Sequence, residues 1–93
     1  MLTHNKYPTE HYRALDAAHH LHPFSDTRSL NASGVRIIVK GEGVWLTESE
    51  GNRILDGMSG LWCVNIGHGR PEIAEAVQRQ MGEISYYNTF FKT

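Results

Sequence analysis

At Val35 the apolar period of this chain changes to two for three short runs, and no other feature narrows its fold so much. The segment "VRIIVKGEGVWLTESEGNRILDG" breaks into three short β-rich runs, Val35 to Lys40, Val44 to Thr47 and Arg53 to Asp56, separated by "GEG" and "ESEGN". Glycine among polar residues between such runs signals tight hairpins, because glycine reaches positive φ without steric cost. The pattern predicts a three-stranded antiparallel meander with Val35, Ile37 and Val39 on one face. Ile38 and Trp45, on other faces, imply that neither side is fully wet.

The flanks carry helical spacing. Pro8 and Thr9 supply an entry, and Tyr12, Leu15 and Ala18 recur with a helical period, so a short helix is expected from Thr9 to Leu21. Pro23 ends it, since the residue before a proline is pushed out of the helical region. "SDTRSLNASG" then reads as a polar connector. Further on, Pro71 suits a first helical position, Glu72 and Glu75 favour the early turns, and Ile73, Val77 and Met81 fall at i, i+4 and i+8. Gly82 stands where a C-terminal cap belongs. The fold class is therefore α+β: an N-terminal helix and connector over 1–34, then the meander, a glycine-rich loop and a helix over 35–93.

The loop is unusual. Asp56 to Gly69, "DGMSGLWCVNIGHG", holds four glycines with leucine, tryptophan, cysteine, valine and isoleucine between them. Exposed apolar side chains gain nothing from water, so this loop faces either core or ligand. The ending "ISYYNTFFKT" poses the same question with Tyr86, Tyr87, Phe90 and Phe91. A chain of 93 residues makes one domain at most, and at that size only about 60–65% of the extended surface is buried on folding. The formal net charge of −1, with no basic run, argues against a nucleic-acid partner. The first residues contain no apolar run of signal-peptide or membrane-spanning length, and Cys63 is alone, so the cytosol is the expected compartment.

Four candidate chemistries can be weighed residue by residue. "HHLH", with His19, His20 and His22, could suggest zinc, but adjacent helical residues point about 100° apart and nothing completes a ligand set; no metal is expected. Cys63 could be a nucleophile with His68 as base, although a small packed cysteine is the simpler reading. "GHGRPE" could offer backbone amides to a phosphate, yet Pro71 removes one of them, which favours a tight turn into a helix. Phe24, Trp62, Phe90 and Phe91 each sit in or beside an irregular segment, which leaves core filling and a ligand pocket both open.

The words "HLHPFSD", "GEGVWLTESEGNRILDGMSGLWCVNIGHGRPEIAEAVQRQM" and "YYNTFFKT" resemble the N-terminal portion of class III pyridoxal-phosphate-dependent aminotransferases, of the ω-transaminase branch acting on amines, β-alanine or polyamines with pyruvate. The resemblance runs in register from about Glu10 to Thr93. It implies part of the small domain of a fold-type I pyridoxal-phosphate enzyme. It also implies amino transfer from an amine or ω-amino acid to pyruvate or another keto acid, and a homodimer in the complete enzyme. By the same resemblance, residues matching Leu61 and Trp62 line the substrate pocket, that matching Phe24 lies beside them, and that matching Phe90 reaches the neighbouring subunit's active site. Lys6, Lys40 and Lys92 match none of the positions of the family's Schiff-base lysine. No catalytic or cofactor-binding residue is therefore expected within the chain, which looks like an N-terminal fragment lacking the large cofactor-binding domain and inactive alone. The rival expectation is a non-catalytic dimerisation or docking module that pairs with a full-length relative.

Overall fold

The structure is a computed structural model that describes residues 8–93. In chain order it contains α1 (Thr9–His19), α2 (Thr27–Ser33), β1 (Ile38–Glu42), β2 (Trp45–Glu48), β3 (Arg53–Leu55), α3 (Ser59–Trp62) and α4 (Pro71–Glu83). The strands form the expected antiparallel meander in the order β1-β2-β3. Thr47 stands opposite both Lys40 and Arg53, Trp45 opposite Glu42 and Leu55, and Leu46 opposite Gly41 and Ile54. Directly opposed residues share a face. One face thus carries Lys40, Thr47, Arg53, Glu42, Trp45 and Leu55, while Gly41, Leu46 and Ile54 lie on the other.

Val35 is buried and Ile37 and Val39 are half-buried, in keeping with the face predicted for them. Gly41, Leu46 and Ile54 on one face are half-buried, whereas Ile38 and Trp45 are exposed, so the expectation that neither side is fully wet holds on the first face and the face of Trp45 is largely open. The reason is that no helix packs on the sheet to any extent; only its strands pack together. Trp45 finds partial cover instead under the Arg53 guanidinium, 4.5 Å from its ring centre, a cation–π contact.

The helices depart from the sequence reading at three places. The segment read as a polar connector contains α2, capped by Asp26, whose side chain accepts from the Ser29 N–H at 3.1 Å, and closed by Gly34 at φ 82°. An aspartate N-cap and a glycine C-cap are sufficient local reasons for one short helix. Helix α1 stops at His19 rather than Leu21 because His20 is already extended, and His22 Nε2 turns back to the Asp16 carboxylate at 2.8 Å. Helix α4 runs through Gly82 to Glu83 and is capped by Ile84, so Gly82 is an interior helical residue and not the cap. None of the helices in the described residues is long and apolar enough to cross a membrane.

Two glycines let side chains fasten these pieces. Arg13 crosses Gly34 to donate from Nε to the Val35 carbonyl at 2.9 Å, passing where a Cβ on Gly34 would lie 2.8 Å from that nitrogen. At the other end of the sheet, Gly43 and His68 exchange both backbone hydrogen bonds, at 3.0 and 2.8 Å. The His68 ring then lies over Gly41, where a Cβ would come within 2.6 Å of it. From there Nε2 reaches Asp56 Oδ2 at 2.7 Å. An ionised carboxylate only accepts, so Nε2 carries the hydrogen. Asp56 has its side chain 8% exposed. The His68 hydrogen bond, followed by the backbone amides of Gly60 and Met58, holds the Asp56 carboxyl below its ordinary value of 3.8.

Beyond these contacts the chain has little interior. Val35, at 8% exposure, is the one buried hydrophobic residue among those described. The radius of gyration is 17.3 Å, against about 12 Å for a compact domain of this length.

Two outcomes follow. Gly82 is helical and an added Cβ meets nothing within 4 Å, so Gly82→Ala strengthens α4 by roughly 1 kcal/mol. Far-UV circular dichroism of the 93-residue chain reads this as increased helical signal, and no increase places Gly82 outside the helix. For Asp56 the depressed value means that its contribution is complete above the ordinary carboxyl range and is lost as pH falls below 3.8 through the lowered value. A carboxyl-carbon NMR titration shows an Asp56 midpoint below 3.8, and His68→Ala moves it upward. An unmoved midpoint rules out the His68 hydrogen bond as its cause.

Candidate functional site

The loop that leaves β3 makes a single irregular turn. Trp62 N–H donates to the Met58 carbonyl at 2.9 Å, and the Cys63 and Val64 amides both donate to Ser59, each at 3.0 Å. Inside this turn the backbone is far from helical: φ is 52° at Ser59, 72° at Gly60, 145° at Leu61 and 62° at Trp62. Glycine is required at position 60, since a Cβ there would lie 2.8 Å from Val64 Cγ2. The other three residues have no such freedom, and each positive φ costs on the order of 1–3 kcal/mol. The result is an outward-facing pair, with Leu61 at 67% and Trp62 at 86% exposure.

The same combination recurs at the other sequence candidates. Phe24 follows Pro23 at φ 52° and is fully exposed. Phe90 is exposed beside Phe91, which stands at φ 55°, and the two rings meet edge to face at 6.2 Å. This end is tied locally: Asn88 Oδ1 accepts from the Phe90 N–H at 2.9 Å, and the Thr93 hydroxyl lies 2.7 Å from the carbonyls of Asn88 and Phe90. Phe24, Ser59, Leu61, Trp62, Phe91 and Lys92 are the non-glycine residues at positive φ among those described. Phe24, Leu61, Trp62 and Phe90 therefore all lie at such a position or next to one. No sequence signal announced this, because nothing in their residue types favours positive φ.

The chain does not gather the four into one cavity. Leu61 and Trp62 share one turn, but other residues line three surface clefts of about 280, 430 and 400 Å³. Cys63 is exposed, not packed. This corrects the sequence reading, and the cause is the same outward turn. His68 is not offered to the thiol, since its Nε2 is held by Asp56 and its ring rests on Gly41. In "HHLH" the His22 ring is occupied by Asp16 and meets His20 edge-on at 4.4 Å. Among the described residues no three His, Cys, Asp or Glu side chains converge as a metal site would need. "GHGRPE" forms the tight turn, with Gly67 and Gly69 at φ 91° and 69° and Arg70 Nε donating to Glu72 at 2.8 Å across the start of α4.

Among the described residues, Lys40 and Lys92 do not fit a Schiff base with pyridoxal phosphate. An activated lysine is desolvated in an apolar pocket or set beside another cation, whereas Lys40 is exposed and 3.2 Å from Glu42, and Lys92 is exposed in the terminal turn. Lys6 lies outside the described residues. No step through the cofactor is assigned to these side chains.

Comparison with known proteins gives one consistent result. Residues 27–93 match the family described as Aminotransferase class-III. The putrescine--pyruvate aminotransferase of Pseudomonas aeruginosa is 55% identical over 85 residues, which is 91% of this chain and 19% of that protein. The β-alanine--pyruvate aminotransferase of the same organism is 48% identical over 67 residues, covering 72% of this chain and 15% of its own length. Among solved structures, a thermostable (S)-enantioselective ω-transaminase from Thermomicrobium roseum superposes with a TM-score of 0.84 at 50% identity, over 88% of this chain and 18% of that one. The chain thus spans 15% to 19% of the length of these two curated relatives. Its helices and antiparallel meander are those of transaminases, and the chain belongs to the class III aminotransferase family.

Proposed function

We propose that this chain is the N-terminal part of a pyridoxal-phosphate-dependent transaminase that moves an amino group from an amine or ω-amino acid to pyruvate or another keto acid. Phe24, Leu61, Trp62 and Phe90 contribute an apolar wall to its substrate pocket. The observation that carries this reading is the coincidence of strain and exposure: Phe24, Leu61 and Trp62 are held outward on a backbone that they disfavour, and Phe90 is exposed next to such a position. Backbone strain of this kind collects at ligand-binding sites, where surrounding structure fixes it. In water it would gain nothing, because each such side chain forgoes about 1.5–3 kcal/mol of burial.

The division of labour follows from the chemistry. Pyridoxal phosphate supplies the electron sink for carbanion stabilisation when bound. The side chains of this chain select and orient: an aromatic wall rewards apolar area on the donor amine and rejects an unpaired charge. Residues 8–34 belong to the N-terminal helical part and 35–93 to the start of the small domain. The cofactor-binding domain lies outside these residues, and the complete enzyme is a cytosolic homodimer.

Two measurements test the reading. The 93-residue chain mixed with pyridoxal phosphate yields no specific visible band and no transamination; a mapped, stoichiometric adduct on Lys40 or Lys92 with activity overturns this. In a full-length enzyme carrying these residues, Trp62→Ala leaves cofactor binding intact. It changes discrimination between bulky aromatic and small amines by roughly 1–3 kcal/mol in kcat/KM, about 5- to 150-fold. Loss of cofactor, or an unchanged preference, removes Trp62 from the pocket.

A further inference from the structure

We infer that Asp56 and His68, with Gly41 as their floor, are positioning residues that set the direction of Leu61 and Trp62 and thereby the amine preference. This rests on the pocket reading above and names the device that holds that wall in place. The strained turn needs an external brace, and a single oxygen provides it. Asp56 Oδ2 accepts from His68 Nε2 at 2.7 Å and from the Gly60 amide at 2.9 Å. The Gly60 amide belongs to the peptide group one residue before Leu61, where φ reaches 145°. Fixing that amide therefore fixes the plane from which the Leu61–Trp62 excursion starts.

The other end of the loop is fixed by the same carboxylate. His68 closes residues 57–67 and cannot move independently, because its backbone is paired to Gly43 and its ring rests on Gly41. Asp56 is in turn tied to the sheet, its N–H donating to the Val44 carbonyl at 2.8 Å. Sheet, turn and loop end meet at one side chain that is 8% exposed, with His68 22% exposed. Hydrogen bonds to a carboxylate are shorter and roughly twice as strong as neutral ones, which suits a brace against backbone strain. Neither Asp56 nor His68 needs to touch substrate. Their influence passes through Leu61 and Trp62.

The test uses a full-length class III transaminase holoenzyme whose first residues are those of this chain. It measures kcat/KM for a bulky aromatic amine and for a small amine, with cofactor retention followed by absorbance. Asp56→Ala is expected to shift the ratio of the two values at least about fivefold in the same direction as Trp62→Ala. In the Trp62→Ala background the same substitution should change the ratio less than about twofold, because residues that act through one another are not additive. His68→Gln, which keeps a side-chain donor towards Asp56, should restore most of the ratio lost in His68→Ala. If Asp56→Ala yields no soluble holoenzyme, Gly41→Ala carries the same test, since its methyl group displaces the His68 ring. An equal fall for both amines, or effects of Asp56→Ala and Trp62→Ala that simply add, overturns the positioning role while leaving the pocket intact. A ratio unmoved by Trp62→Ala itself sinks the pocket reading and the positioning role together.

Discussion

The Asp56 carboxylate is the point on which the distal half of this structure depends. It stands at the end of β3, accepts from the turn that carries Leu61 and Trp62, and accepts again from His68 where the chain turns toward α4. The contact is possible only because Gly41, near the end of β1, has no side chain to obstruct the imidazole. Hydrogen bonding holds the Asp56 carboxyl below its ordinary value, the His68 bond being the largest cause. The arrangement joins three segments far apart in sequence without a hydrophobic core between them.

That absence has consequences. Burial normally offsets the conformational entropy lost on folding, yet here only Val35 is buried among the described residues. Local devices supply the order instead: the ladders of the meander, the Asp26 and Gly34 caps of α2, the Arg13 strap to Val35 and the Asp56–His68 contact. The apolar stripe of α4, Ile73, Val77 and Met81, is exposed along its whole length. It has the pattern of a helix meant to be covered.

Strain and exposure meet at Phe24, Leu61 and Trp62, each at positive φ with its side chain exposed. The backbone cost is tolerable only where hydrogen bonds fix the neighbouring peptides. The loop meets that need through Asp56 and the Met58 and Ser59 carbonyls, and the terminal turn through Asn88 and Thr93.

Alternation by itself determined the meander, and the order and pairing of its three strands follow from hairpins too short to permit another topology. Pro71 and the spacing of Ile73, Val77 and Met81 determined α4, and the family resemblance was legible in the words around the glycine loop. These are local signals, fixed by φ/ψ preferences and side-chain period within a few residues. The seven-residue α2 was missed because its caps are set in a polar stretch with no apolar stripe, and Gly82 was misread because a cap and an interior glycine look alike until the next residue's conformation is known. Tertiary structure alone decided that Gly41 serves His68, that Asp56 braces the turn, and that Leu61 and Trp62 face outward. Each depends on contacts across strands, or on a backbone conformation that residue type disfavours, and neither leaves a trace in periodicity.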